Sequence, residues 1–139
     1  MPLLSLVRRL TTGPAAQRAW RAVLVLLLAA VAWLAWTPDT QPLPNTGWDK
    51  ANHLLAFGAL AVAGRFAFPG PGSRLLAVGA LLLAFGALIE IVQMGVPGRS
   101  AEWADLLADM AGIAAGTLLA ALTLSEASST ANETHDGRG

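Results

Sequence analysis

Four apolar runs, each long enough to cross a bilayer as a helix, leave this chain little choice of fold. They extend roughly over residues 20–36, 50–68, 75–94 and 103–124, and Pro38, Pro42, Pro44, Pro69, Gly70, Pro71, Gly72, Pro97 and Gly98 punctuate the gaps. The hydrocarbon core takes about twenty mostly apolar residues in helical form, with roughly seventeen at the short end. Of the 139 residues 55% are apolar and only 13% charged, against about a quarter charged in ordinary soluble domains. The apolar residues also fill whole blocks instead of the one-sided stripes of a water-facing helix. The expectation is an all-α fold, a four-helix transmembrane bundle with membrane lipids as its surroundings.

Orientation follows from lysine and arginine, which are retained on the cytoplasmic side of short loops. Arg8, Arg9 and Arg18 precede the first run and Arg21 lies at its start, and parity places Arg65 and Arg74 on the same side. That leaves Lys50 and Arg99 as the outer basic residues, with both the N- and C-termini cytoplasmic. Trp36, Trp48 and Trp103 fall at the outer boundary and Trp20 at the inner one, where amphipathic rings collect. Residues 1–19 form a basic N-terminal segment, residues 20–124 the membrane domain, and residues 125–139 a polar tail expected to be disordered and cytoplasmic. A basic leader before an apolar run also fits a cleaved signal peptide, a reading that would leave the later loops on the same sides.

Nine acidic residues balance nine basic ones, so the basic excess of nucleic-acid-binding domains is missing. The chain has no cysteine, which removes disulfides, thiolate nucleophiles and thiolate metal sites. Any chemistry rests on oxygen and nitrogen groups.

Those groups cluster. Asp49, His53 and Phe57 are four apart at the opening of the second run and share one helix face, with Lys50 beside them. Glu90 and Gln93, three apart, share a face near the end of the third. Glu90 falls roughly 8 Å below the interface at 1.5 Å per residue. A charge at the bilayer centre costs about 2.5–3.5 kcal/mol on insertion scales, so Glu90 must face protein or water. After the turn Pro97-Gly98-Arg99-Ser100, Glu102, Asp105 and Asp109 form one stripe that Gly112 and Gly116 extend inward. Simple structural roles cover part of this set: Asp49 and Ser100 as caps, Lys50 snorkelling, Glu102 at a helix N-terminus. They leave Asp109, about two turns inside its helix, unexplained. An antiparallel hairpin brings Glu90 and Asp109 to similar depth, with His53 and Asp105 nearer the surface. All of these residues are therefore expected to meet in one outer-leaflet site. The Gly112-x-x-x-Gly116 spacing permits close helix contact, more simply within the chain than between copies.

This pattern resembles the VanZ-like family of bacterial membrane proteins: Asp-Lys with a nearby His, then Glu-x-x-Gln, a loop Arg, and an Asp followed by spaced glycines. The matching residues are Asp49, Lys50, His53, Glu90, Gln93, Arg99, Asp105, Gly112 and Gly116, covering half the chain. Asp109 departs from the pattern, which often has Asn there. The resemblance implies a multi-pass protein of the bacterial cytoplasmic (inner) membrane. It implies too a cell-envelope role whose namesake lowers susceptibility to teicoplanin, an antibiotic-resistance trait, and it implies no particular reaction.

Three functions suit the residues. In the first, Asp49, Lys50, His53, Glu90, Gln93, Arg99, Asp105 and Asp109 bind an envelope lipid or its headgroup, Lys50 and Arg99 holding phosphate or carboxylate. In the second, a small membrane enzyme uses Glu90 or His53 as general base while Arg99 stabilises developing negative charge. In the third, the polar set only fixes helix packing or a partner interface. His53, Glu90 and Asp105 suit a metal by ligand type, but one histidine among carboxylates is an unspecific signal. No metal, cofactor or nucleic-acid partner is expected.

Overall fold

The structure is a computed structural model that describes residue 6, residues 9–38 and residues 49–136, with side chains to residue 125. Arg8, Pro42, Pro44, Trp48 and the end of the tail beyond residue 136 lie outside the described residues. The helices are α1 (Pro14–Trp36), α2 (Asp49–Ala67), α3 (Gly72–Gln93) and α4 (Trp103–Asp136). No strand occurs among the described residues.

Three segments are long and apolar enough to cross a membrane: Pro14–Trp36, Gly72–Gln93 and Trp103–Ser125. They turn large apolar side chains outward, among them Leu26 and Trp33 on α1, Leu81 and Ile91 on α3, and Leu107 and Leu118 on α4. Continuous apolar surface of this kind is an aggregation hazard in water and the required surface in lipid. The protein is thus all-helical and multi-pass. The helix α4 runs on beyond this span to Asp136.

The helix α2 differs from the other three. It is the least apolar by sequence, since Asp49, Lys50, His53 and Arg65 all lie within it, and it is not among the segments that qualify as spans on length and composition. It is also the most enclosed: His53, Phe57, Leu60, Ala61, Ala63, Gly64, Phe66 and Ala67 are buried. Its most extensive packing is with α4, then with α1. Of its polar residues, His53 is buried within the protein.

Missing side chains create the α2–α4 contact. A Cβ at Gly116 would lie 2.9 Å from the Gly58 carbonyl carbon, and one at Gly112 would lie 3.0 Å from the Gly58 nitrogen. Both distances are too short for a real methyl group, so only glycine lets the backbones approach this closely. The small-residue pattern read from sequence thus packs within the chain. Phe57 of α2 then meets Phe85 of α3 with ring centroids 6.2 Å apart, and Leu24, Leu60, Leu82 and Ile89 complete the apolar core.

Between α3 and α4 the chain reverses through Val96-Pro97-Gly98-Arg99. The Arg99 amide donates to the Val96 carbonyl at 3.1 Å and Gly98 has φ 79°, the arrangement of a type II turn with proline second and glycine third. This turn carries Arg99 back toward the end of α1.

Candidate ligand-binding site at one end of the helices

The antiparallel α3–α4 hairpin and the start of α2 bring ionisable residues together at one end of the molecule. Nearest the surface, Lys50 Nζ donates to Glu102 Oε2 at 2.6 Å and lies 3.3 Å from Asp105 Oδ1. The adjacent ammonium holds the Glu102 carboxyl below the usual glutamate range. Beside this pair, Arg99 Nη1 is 3.8 Å from Asp49 Oδ1. Its Nη2 reaches the Leu34 carbonyl at 3.5 Å, a cation at the C-terminal end of α1 where the helix dipole favours one.

Deeper, His53 Nδ1 is 2.9 Å from Asp109 Oδ1, and Asp109 is fully buried. An Asp109 carboxylate there places the imidazole proton on Nδ1 and leaves the Nε2 lone pair free. Nε2 faces Glu90 Oε1 at 3.8 Å. The other Glu90 oxygen accepts from the Glu102 amide at 2.9 Å, satisfying one of the orphan donors at the head of α4. The sequence offered Ser100 as that cap; the Glu102 amide is bound here by the Glu90 carboxylate of the neighbouring helix.

His53, Glu90, Gln93, Asp105 and Asp109 are all buried, and Asp49, Lys50 and Arg99 surround them on the outward side. The sequence placed His53 level with Asp105, nearer the surface; a ring nitrogen of His53 does lie within 4.8 Å of Asp105, and the ring also bonds Asp109 and stacks parallel to Phe57 at 6.4 Å. The register that causes this comes from the glycine contact between α2 and α4. Lys50 and Arg99 were expected to be available for an anion, and both already face carboxylates.

Gly86 was not singled out by sequence. A Cβ there would lie 3.1 Å from Phe57 Cζ and 3.2 Å from Asp109 Cγ, so its bare backbone makes room for the Asp109 carboxylate. Its position one turn before Glu90 on the same helix face was the available clue.

Several buried polar atoms have no hydrogen-bond partner: Glu90 Oε1, Arg99 Nε, Asp105 Oδ1 and Oδ2, and Asp109 Oδ2. Asp105 Oδ1 is served only by the charge of Lys50 at 3.3 Å. Unpaired buried polar atoms are rare in folded proteins and each calls for a reason. The site can accept hydrogen bonds at three carboxyl groups, donate through Arg99, and exchange a proton at His53 Nε2.

Comparison with protein families matches residues 15–124 to the family described as VanZ/LLP1. No curated protein and no solved structure matches the chain. The matched stretch contains α2, α3, the hairpin turn and every site residue named above, and on this match the chain belongs to the VanZ/LLP1 family.

Proposed function

We propose that this is a four-span protein of the bacterial cytoplasmic membrane, both termini cytoplasmic, whose site beneath the outer surface binds the polar headgroup of an envelope lipid. The Arg-bearing N-terminal segment and the Arg65 and Arg74 loop support the orientation. The fourth span is α2, whose 19 residues cover about 28 Å at 1.5 Å per residue, close to the thickness of the hydrocarbon core. The observation that carries the binding role is the set of unpartnered atoms on Glu90, Arg99 and Asp105. A headgroup bearing hydroxyl or ammonium groups satisfies the carboxylates, while a phosphate edge suits Arg99. In the family reading, such binding links the protein to teicoplanin susceptibility.

The test is photo-crosslinking in membranes. A photoreactive residue at Met94, exposed one position beyond Gln93, is expected to capture a defined lipid that the same group at Leu81 does not, and Glu90→Gln should abolish the capture. Equal, non-selective capture at both positions contradicts the proposal.

The His53–Asp109 pair favours a second reading, a membrane enzyme working by acid–base catalysis. An imidazole fixed at Nδ1 with Nε2 facing a carboxyl group is the arrangement a general base uses. Under it, His53→Ala removes turnover of the captured lipid and leaves capture intact.

A further inference from the structure

The site holds five carboxyl groups and three basic side chains, and three of those carboxyl groups, on Glu90, Asp105 and Asp109, are buried together with His53. Unrelieved negative charge is expensive there. Either protons or a bound cation must compensate it, and the geometry offers a place for the cation.

One donor atom each from Asp49, His53 and Asp105 lies within 4.8 Å of the others. Asp105 is 1% exposed, and its Oδ2 has no hydrogen-bond partner. His53 is held through Nδ1 by the buried Asp109 carboxylate. Metal-binding histidines are commonly oriented in this way, the carboxylate fixing the tautomer and leaving the second nitrogen to ligate. The unpartnered Glu90 Oε1, 3.8 Å from that nitrogen, lies within reach of an ion ligated there.

We propose that Asp49, His53 and Asp105 bind a divalent transition-metal cation, with Asp109 as the positioning residue behind His53. One imidazole with carboxylates suits Mn²⁺ or Zn²⁺, whereas an all-oxygen set would suit Mg²⁺ or Ca²⁺. Lys50 is the internal competitor: its ammonium is 3.3 Å from Asp105 and 2.6 Å from Glu102. When the ion takes Asp105, Glu102 retains Lys50. This inference shares Asp105 and Glu90 with the lipid reading, but its test is a metal titration in detergent that does not depend on any lipid being captured.

The experiment uses the full chain, purified in detergent, stripped with chelator and titrated with Mn²⁺, the free ion followed by its electron paramagnetic resonance signal; Zn²⁺ is then added as competitor. One saturable site per chain, displaced by Zn²⁺, is expected. His53→Ala and Asp105→Asn should each weaken binding by about tenfold or more. Asp49→Asn, at a half-exposed position, should weaken it too and leave folding intact. Lys50→Met, which removes the competing ammonium, should tighten it. Absence of saturable binding in the wild-type chain overturns the proposal, as does wild-type affinity in both His53→Ala and Asp49→Asn.

Discussion

The two ends of the helices handle charge in opposite ways. At the end opposite the site, arginines serve the backbone: Arg21 Nε donates to the Ala67 carbonyl at 3.2 Å and its guanidinium sits 5.0 Å from the Phe68 ring centroid, while Arg74 Nη1 donates to the Pro69 carbonyl at 2.6 Å. Both arginines are exposed, and each caps the end of α2 or the loop after it. At the site end, ionisable side chains meet one another, and His53, Glu90, Asp105 and Asp109 are buried. His53 answers Asp109, Glu90 answers the Glu102 amide, and Asp105 lies under Lys50. Charge at the first end is replaceable surface. Charge at the second is a network in which removing one member orphans another.

Substitutions at the two ends should therefore differ in cost, and that difference can be broken or sharpened by experiment. Asp109→Ala is the most severe test, because it leaves His53 Nδ1 without its acceptor in the interior. A loss of about 3 kcal/mol or more is expected in thermal unfolding in detergent. Glu90→Ala frees the Glu102 amide and removes a carboxyl group, with an expected loss of about 1–3 kcal/mol. A smaller, salt-sensitive drop is expected for Lys50→Met, since the Lys50–Glu102 pair is half-exposed and screened by added ions. Arg74→Ala should leave the melting temperature unchanged. Equal losses at Asp109 and Arg74 would erase the distinction.

Acid titration sharpens it further. Glu102 has a folded-state carboxyl value below its ordinary 4.5, chiefly because Lys50 hydrogen-bonds it. Its contribution to stability is present in full above the unfolded value and is lost as pH falls through the lower folded one. Comparing melting temperatures of wild type and Glu102→Gln, the gap should hold from neutral pH down to about 4.5 and close below it. A gap that closes well above that range contradicts the pairing.

Much of this arrangement was legible before any coordinates. An ionisable residue within an apolar run is conspicuous, so Glu90, Asp109 and His53 declared themselves, and helical spacing put Asp105 and Asp109 on one face. The short hairpin then required α3 and α4 to bring Glu90 and Asp109 to similar depth; the Glu90 contact with the Glu102 amide came only with the structure. Axial register between α2 and α4 was not legible, because it depends on where Gly58 meets Gly112 and Gly116, a contact between distant segments. That register sets His53 against Asp109 and lets Lys50 reach Glu102 and Asp105. Gly86 stayed hidden for a similar reason: its significance lies in the Asp109 carboxylate it admits, a neighbour from another helix. The enclosed position of α2 also exceeded what its composition indicated.

A double-mutant cycle between His53 and Asp109, measured by thermal or denaturant unfolding of the full chain in detergent, tests most directly whether acids and base from separate helices form one buried network. Polar contacts between membrane helices average about 0.6 kcal/mol in such cycles. A coupling above about 1 kcal/mol is expected for His53→Ala with Asp109→Ala. Additive losses, agreeing to within about 0.3 kcal/mol, would show that the two side chains do not meet.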